Sequence, residues 1–130
     1  MSVTQQTIID VLIPAFQTAT GVSTYDTFAP DDKAMPYCTI RTQNDVPDNA
    51  FDAPESAHNI IFLVTFIKLK QGGPAALRAY ADTAFTALNR TRLAIDDKQN
   101  EVECIDRGGP DLRDTDVLEL VMTWTYKGSF

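Results

Sequence analysis

The chain has 130 residues, a length that suits one domain (1–130) and can bury roughly two thirds of its unfolded surface without a disulfide or metal staple. A 44% apolar and 22% charged composition argues against wholesale disorder, and 18 acidic against 11 basic side chains leave a net charge of −7 that disfavours nucleic-acid binding by phosphate neutralisation. The longest apolar run, 60–67, is far short of the ~20 residues that span a bilayer, and residues 1–6 lack the basic start and apolar core of a signal peptide, so a soluble protein with no export signal and no membrane partner is expected.

In chain order, Ser2 and Gln5 fit a capping box. Ile8, Leu12, Ala15 and Ala19 then recur at helical spacing, with Val11 and Phe16 beside them. Pro14 removes a backbone donor inside this stretch, which predicts a kink or a break into two short helices, and Gly21 is a left-handed stop. Residues 22–28 read as a short extended segment. Residues 35–42 read as a strand, with Tyr37, Thr39 and Arg41 alternating against Cys38, Ile40 and Thr42. The segment 43–58 is rich in Asn, Asp and Pro and reads as a long loop, of the kind that is often functional or intermolecular; Phe51 is its one large aromatic.

The run 59–70 is dense in β-branched and aromatic residues and apolar on both faces, so it reads as a central buried strand that must be covered twice. Lys68 and Lys70 place its end near solvent. Gly73 and Pro74 open a helix over 75–90, whose stripe Leu77, Ala81, Ala84 and Leu88 is widened by Tyr80 and Phe85. Residues 92–95 are a short extended piece and 96–100 a turn. Residues 101–106 form a strand that Gly108-Gly109-Pro110-Asp111 breaks. Residues 116–127 show the clearest period of two, Leu118, Leu120, Met122, Trp124 and Tyr126 against Glu119, Val121, Thr123 and Thr125, and pair antiparallel with the central strand or with 101–106. The expected fold class is α+β in two layers: an antiparallel sheet of about four main strands with two helices on one face, in the order α-β-β-α-β-β. The other sheet face mixes threonines with apolar residues, as a surface covered by another subunit would.

Chemistry is sparse. His58, the only histidine, lies at a loop–strand junction with no nucleophile motif around it. The acidic groups Asp96, Asp97, Glu101, Glu103 and Asp106, Asp111, Asp114, Asp116 do not match calcium-loop spacing and are interleaved with Lys98, Arg107 and Arg113, so they read as solvated surface. Met122, Trp124 and Tyr126 read as core. Cys38 and Cys104 fall in separate strands and read as free thiols. No cofactor, no metal and no enzyme activity are expected.

The order of segments resembles the tail-completion (tail-terminator) proteins of long-tailed bacteriophages, prophages and gene transfer agents. An N-terminal helix leads to Tyr25-Asp26, Pro30 and Met35-Pro36-Tyr37-Cys38-Thr39-Ile40, similar to that family's Pro-Tyr-x-Thr-Ile strand. Ala76-Leu77-Arg78-Ala79-Tyr80-Ala81-Asp82, Ala87-Leu88-Asn89-Arg90, Leu93-Ala94-Ile95 and the stretch from Ile105-Asp106-Arg107 through Trp124 follow in the family's order, while 43–58 is expanded. The resemblance implies a non-enzymatic virion protein. It would form a homo-oligomeric ring, a hexamer, on the last ring of the tail tube at the head-proximal end, assembled in the host cytoplasm. Its partners would be itself, the tail tube protein and the head–tail connector, with DNA passing through the lumen without specific binding. The loops 43–58 and 107–114 are then the expected contacts with neighbours, through Phe51, Asp52, Arg107, Asp111 and Arg113, with Phe130 at the C-terminus docking as well. The alternatives are another neck or tail-tube subunit, or a small α+β ligand-binding protein or metal-dependent enzyme using His58 and the acidic loops.

Overall fold

A computed structural model describes residues 5–31, 33–47, 57–95 and 98–129. The chain begins with α1 (Gln5–Thr20), continues through β1 (Thr24–Asp26), β2 (Tyr37–Pro47) and β3 (Ala57–Leu69) to α2 (Ala75–Leu88), and closes with β4 (Thr91–Ile95), β5 (Lys98–Asp114) and β6 (Val117–Ser129). All six strands form one sheet in the order β1-β2-β3-β6-β5-β4.

The sheet corrects the expected fold class. It has six strands rather than about four, it is mixed because β1 runs parallel to β2, and it curls into a half-barrel instead of lying as one flat antiparallel layer. The curl is visible in the contacts of α1, which reaches β1 and β2 at one end of the sheet and β4 at the other. The two additional strands fall in the stretches 22–28 and 92–95, which read from sequence as short extended pieces and not as members of the sheet. β1 has 3 residues and β4 has 5, too few to show a period, and both are defined by the neighbour they pair with.

The central run is central: β3 pairs antiparallel with β2 on one side and with β6 on the other. Ile60, Phe62, Val64 and Phe66 of β3 line up with Tyr126, Trp124, Met122 and Leu120 of β6, and all are buried beneath the helices. Phe16 of α1 sits where the three elements meet. Its ring stands edge-on to Trp124 at 5.2 Å and 89° and to Phe62 at 6.3 Å and 83°, the arrangement favoured by the aromatic quadrupole.

Pro14 does not break α1, which runs unbroken for 16 residues. Pro14 is exposed, while Ile8, Ile9 and Leu12 before it and Phe16 after it are buried on one stripe. Packing both halves of that stripe on one sheet outweighs the ~3 kcal/mol that an interior proline costs. Gly21 ends the helix as expected, at φ +73° with its N–H donating to Gln17 O. Ser2 lies outside the described residues.

The end of the run reaches solvent as expected, with Leu69 and Lys70 exposed, and Lys68 is half-buried there. Its ammonium donates to the carbonyls of Leu69, Gln71 and Gly73 at 2.6–2.9 Å and so ties up the turn into α2. Pro74 occupies the N-cap, one residue before the first helical position.

The two expected loops also shrink. β2 extends through Pro47 and β3 begins at Ala57, so only the middle of 43–58 lies between them; residues 48–56 are outside the described residues. The segment 107–114 is not a loop. It is the second half of β5, and Gly108-Gly109-Pro110-Asp111 bends the strand without ending it. β5 stays on β6 through three register shifts, at 104/106, 108/111 and 112/114, each absorbing a local irregularity while the ladder continues. Gly109 makes this possible. It has φ +92°, and an added Cβ would lie 3.2 Å from both Glu119 O and Asp111 N.

Candidate assembly surface

Strand alternation that buries one face against the helices turns every second residue outward. On that outer face Thr39, Thr65 and Val121 stand side by side across β2, β3 and β6, and Arg41, Leu63 and Thr123 form the next row. Ile61 and Thr125 continue it. Leu63, Thr65, Val121, Thr123 and Thr125 are half-buried although no helix packs on this face, and Thr39 is buried. A groove of about 430 Å³ runs over this surface, floored by Thr39, Leu63, Thr65 and Val121 and closed by Thr27, Arg41 and an Arg113–Glu119 pair at 3.5 Å.

The rim beside Arg41 is strained. Thr27 has φ +66°, a conformation that a β-branched residue rarely adopts and that costs about 1–3 kcal/mol. It is held there by two hydrogen bonds: Thr27 N–H donates to Ile40 O, and Phe28 N–H to Asp26 O at 2.7 Å. The outcome is that Phe28 stands 76% exposed at the edge of the sheet.

Both edges of the sheet are partly open. β1 pairs with β2 only over Cys38–Ile40, so no described strand covers β2 from Arg41 onward. On the far side β4 reaches only to Val102 of β5, with Asn89 Oδ1 accepting from Cys104 N–H just beyond, and no described strand covers residues 105–114. That second edge carries Ile105 and Leu112, both more than half exposed, among Asp106, Asp111 and Asp114.

The residues singled out from sequence are not brought together. Phe51, Asp52 and Phe130 lie outside the described residues. Arg107 turns toward α2, donating to Asp82 at 2.9 Å and covering the Phe85 ring at 4.7 Å. Asp111 is exposed on the open β5 edge, opposite Glu119, and Arg113 borders the groove. Sequence reasoning misses Arg41 and the Thr27–Phe28 turn. An aromatic next to Asp-Thr at the end of a short extended segment is their only trace in the sequence.

Nothing in the described residues assembles a reaction centre. Burial pushes the Cys38 thiol up to about 12 despite a hydrogen bond with Thr24, and burial also raises Cys104, so neither supplies a thiolate near neutral pH. No group of three or more His, Cys, Asp or Glu that could hold a metal occurs among the described residues. Asp96 and Asp97 lie outside them. His58 falls within β3, with its backbone opposite Gly128 and Pro47. No helix is long and apolar enough to cross a membrane among the described residues.

No family model and no curated protein matches the chain. Solved structures do. A chain of the virion of a native gene transfer agent particle superposes with a TM-score of 0.65 at 16% identity, over 88% of this chain and 84% of that one. Another solved chain, which bears no functional name, superposes with a TM-score of 0.73 at 11% identity, over 98% and 96% of the two chains. At such identities the likeness is one of fold, and the chain shares the fold of a gene transfer agent virion component across nearly its whole length.

Proposed function

We propose that this chain is a structural, non-enzymatic subunit of a phage-like particle. In that reading it forms a ring, a hexamer, that caps the tail tube at its head-proximal end. The ring halts tube polymerisation and joins the tail to the head connector. Its partners are its own copies, the tube protein and the connector, and it works in the virion after assembly in the host cytoplasm. The single observation that carries the reading is the outer sheet face: half-buried, part apolar, and uncovered by any element of the described chain. Sharing its fold with a gene transfer agent virion component supports the same setting. The net charge of −7 suits a lumen past which DNA slides, because phosphates are repelled rather than held.

The test is negative-stain imaging of the purified full chain, alone and with purified tail tubes. Rings of uniform diameter, seated at one end of the tubes, are the expected result. A chain that stays monomeric and leaves tube length unregulated sinks the reading. Binding along the whole tube wall would instead mark it as a different tail subunit.

A further inference from the structure

The two open edges of the sheet differ in chemistry, and the difference is complementary. One edge presents Phe28, 76% exposed, beside Arg41, which makes no ion pair among the described residues. The other presents Ile105 at 53% and Leu112 at 60% exposure, interspersed with the exposed carboxylates of Asp106 and Asp111. Three of the four exposed large hydrophobics among the described residues therefore sit on these two edges; the fourth, Leu69, lies at the end of β3.

Resting on the ring reading above, we propose that the Phe28–Arg41 edge of one copy receives the Ile105–Leu112 edge of a second copy. Phe28 packs against Ile105 and Leu112, and Arg41 meets Asp106 or Asp111, so that one contact removes both apolar patches from water and neutralises the cation. The two surfaces are different patches of the same chain, so the contact is head-to-tail, the kind that closes into a ring when the rotation allows. It is made by side chains rather than by a continued β-ladder. The β5 edge is interrupted by register shifts at 104/106, 108/111 and 112/114, and Pro110 has no N–H to offer. The strained Thr27 turn has its use here, because it is what holds Phe28 outward.

Sedimentation velocity and negative-stain imaging of full-length chains test this. Phe28→Asp and Arg41→Glu each alter one edge, and Ile105→Asp with Leu112→Asp alters the other. All four side chains are exposed, so unchanged circular dichroism is expected, and unchanged urea midpoints at a concentration too low for wild type to assemble. Each variant alone should lose at least tenfold in the fraction of ring at a concentration where wild type is assembled. An equimolar mixture of Arg41→Glu with Ile105→Asp/Leu112→Asp, read at tenfold higher concentration because a dimer lacks ring closure, should form dimers and nothing larger. Wild-type-sized rings from either edge variant would refute the edge contact while leaving the ring reading intact. A mixture that stays monomeric would refute the head-to-tail pairing. A wild-type chain that forms no ring would sink the ring reading itself, and the edge contact with it.

Discussion

Replacing Phe16 by alanine removes an α1 side chain whose ring meets both the central strand and the closing strand. Phe16 is fully buried, with Trp124 at 5.2 Å and Phe62 at 6.3 Å, both edge-on. Truncating a buried phenylalanine costs about 3–5 kcal/mol, and each aromatic pair carries roughly 0.5–1.5 kcal/mol beyond its area. The upper part of that range applies here. Phe62 and Trp124 are fixed by the β3–β6 ladder, where they sit opposite each other in register, so the cavity cannot close by a strand moving in. A loss of about 4–5 kcal/mol is a large share of the ~5–15 kcal/mol that a domain has in total. With a urea slope of about 2 kcal/mol per molar, the midpoint falls by roughly 2 M. Trp124 is the only tryptophan, so its emission reports unfolding at this very contact, and far-ultraviolet circular dichroism reports the rest of the chain. Both should move together. Phe16→Leu, which keeps a branched apolar side chain but no ring, should cost only about 1–2 kcal/mol. A cost below ~2 kcal/mol for Phe16→Ala, or equal costs for the two variants, would refute the three-way aromatic contact. Measurements belong at one low protein concentration, since assembly would itself add stability.

Gly109→Ala is expected to destabilise by about 1–3 kcal/mol, because the site has φ +92° and the new methyl meets backbone at 3.2 Å; equilibrium urea unfolding measures it, and a neutral result would contradict the bent path of β5. Asp82→Ala should cost less than ~1 kcal/mol, since the Asp82–Arg107 pair is largely exposed, whereas Arg107→Ala should cost more because it also uncovers Phe85; comparing the two melting temperatures with that of the double mutant separates the two contributions. Stability should fall in alkali through Cys38. Its thiol is raised from 9.0 to about 12 in the fold, so between those values the unfolded chain releases a proton that the folded chain keeps, and stability declines by up to ~1.4 kcal/mol per pH unit. That contribution is fully present below pH 9 and gone above about 12, and Cys38→Ala should flatten the slope in pH-dependent unfolding.

Patterns that repeat within one element are legible from the residues alone. The apolar stripes of α1 and α2, the burial of the central run, and the alternation of Leu118, Leu120, Met122, Trp124 and Tyr126 each follow from a local period of 3.6 or 2. The antiparallel pairing of the closing strand is legible too, since β6 lies between β3 and β5 and pairs with both. Inferences from single residues are less dependable: Gly21 does end α1, but others are overridden. Pro14 suggests a kink or a break, of which the break does not occur, and Gly108-Gly109-Pro110-Asp111 suggests a stop, because each residue type opposes regular structure on its own. Packing of the stripe around Pro14, and bulges that let β5 stay on β6, override both. Lys68 and Lys70 at the end of an apolar run suggest a solvated tip, and the tip is exposed at Leu69 and Lys70. What the sequence does not show is that the Lys68 ammonium also binds three carbonyls of the turn that follows it.

The apolar faces are written in the chain itself, and with them follow one sheet and two helices sharing a core, and one sheet face left half-covered. The parallel strand β1 is a product of the assembled fold. So are the curl that carries α1 from one side of the sheet to the other, and the two open edges with Phe28 and Arg41 on one and Ile105 and Leu112 on the other. The physical reason is the same in each case. A strand's burial pattern is carried by its own residues, but its neighbours, and where those neighbours stop, depend on segments far away in the chain.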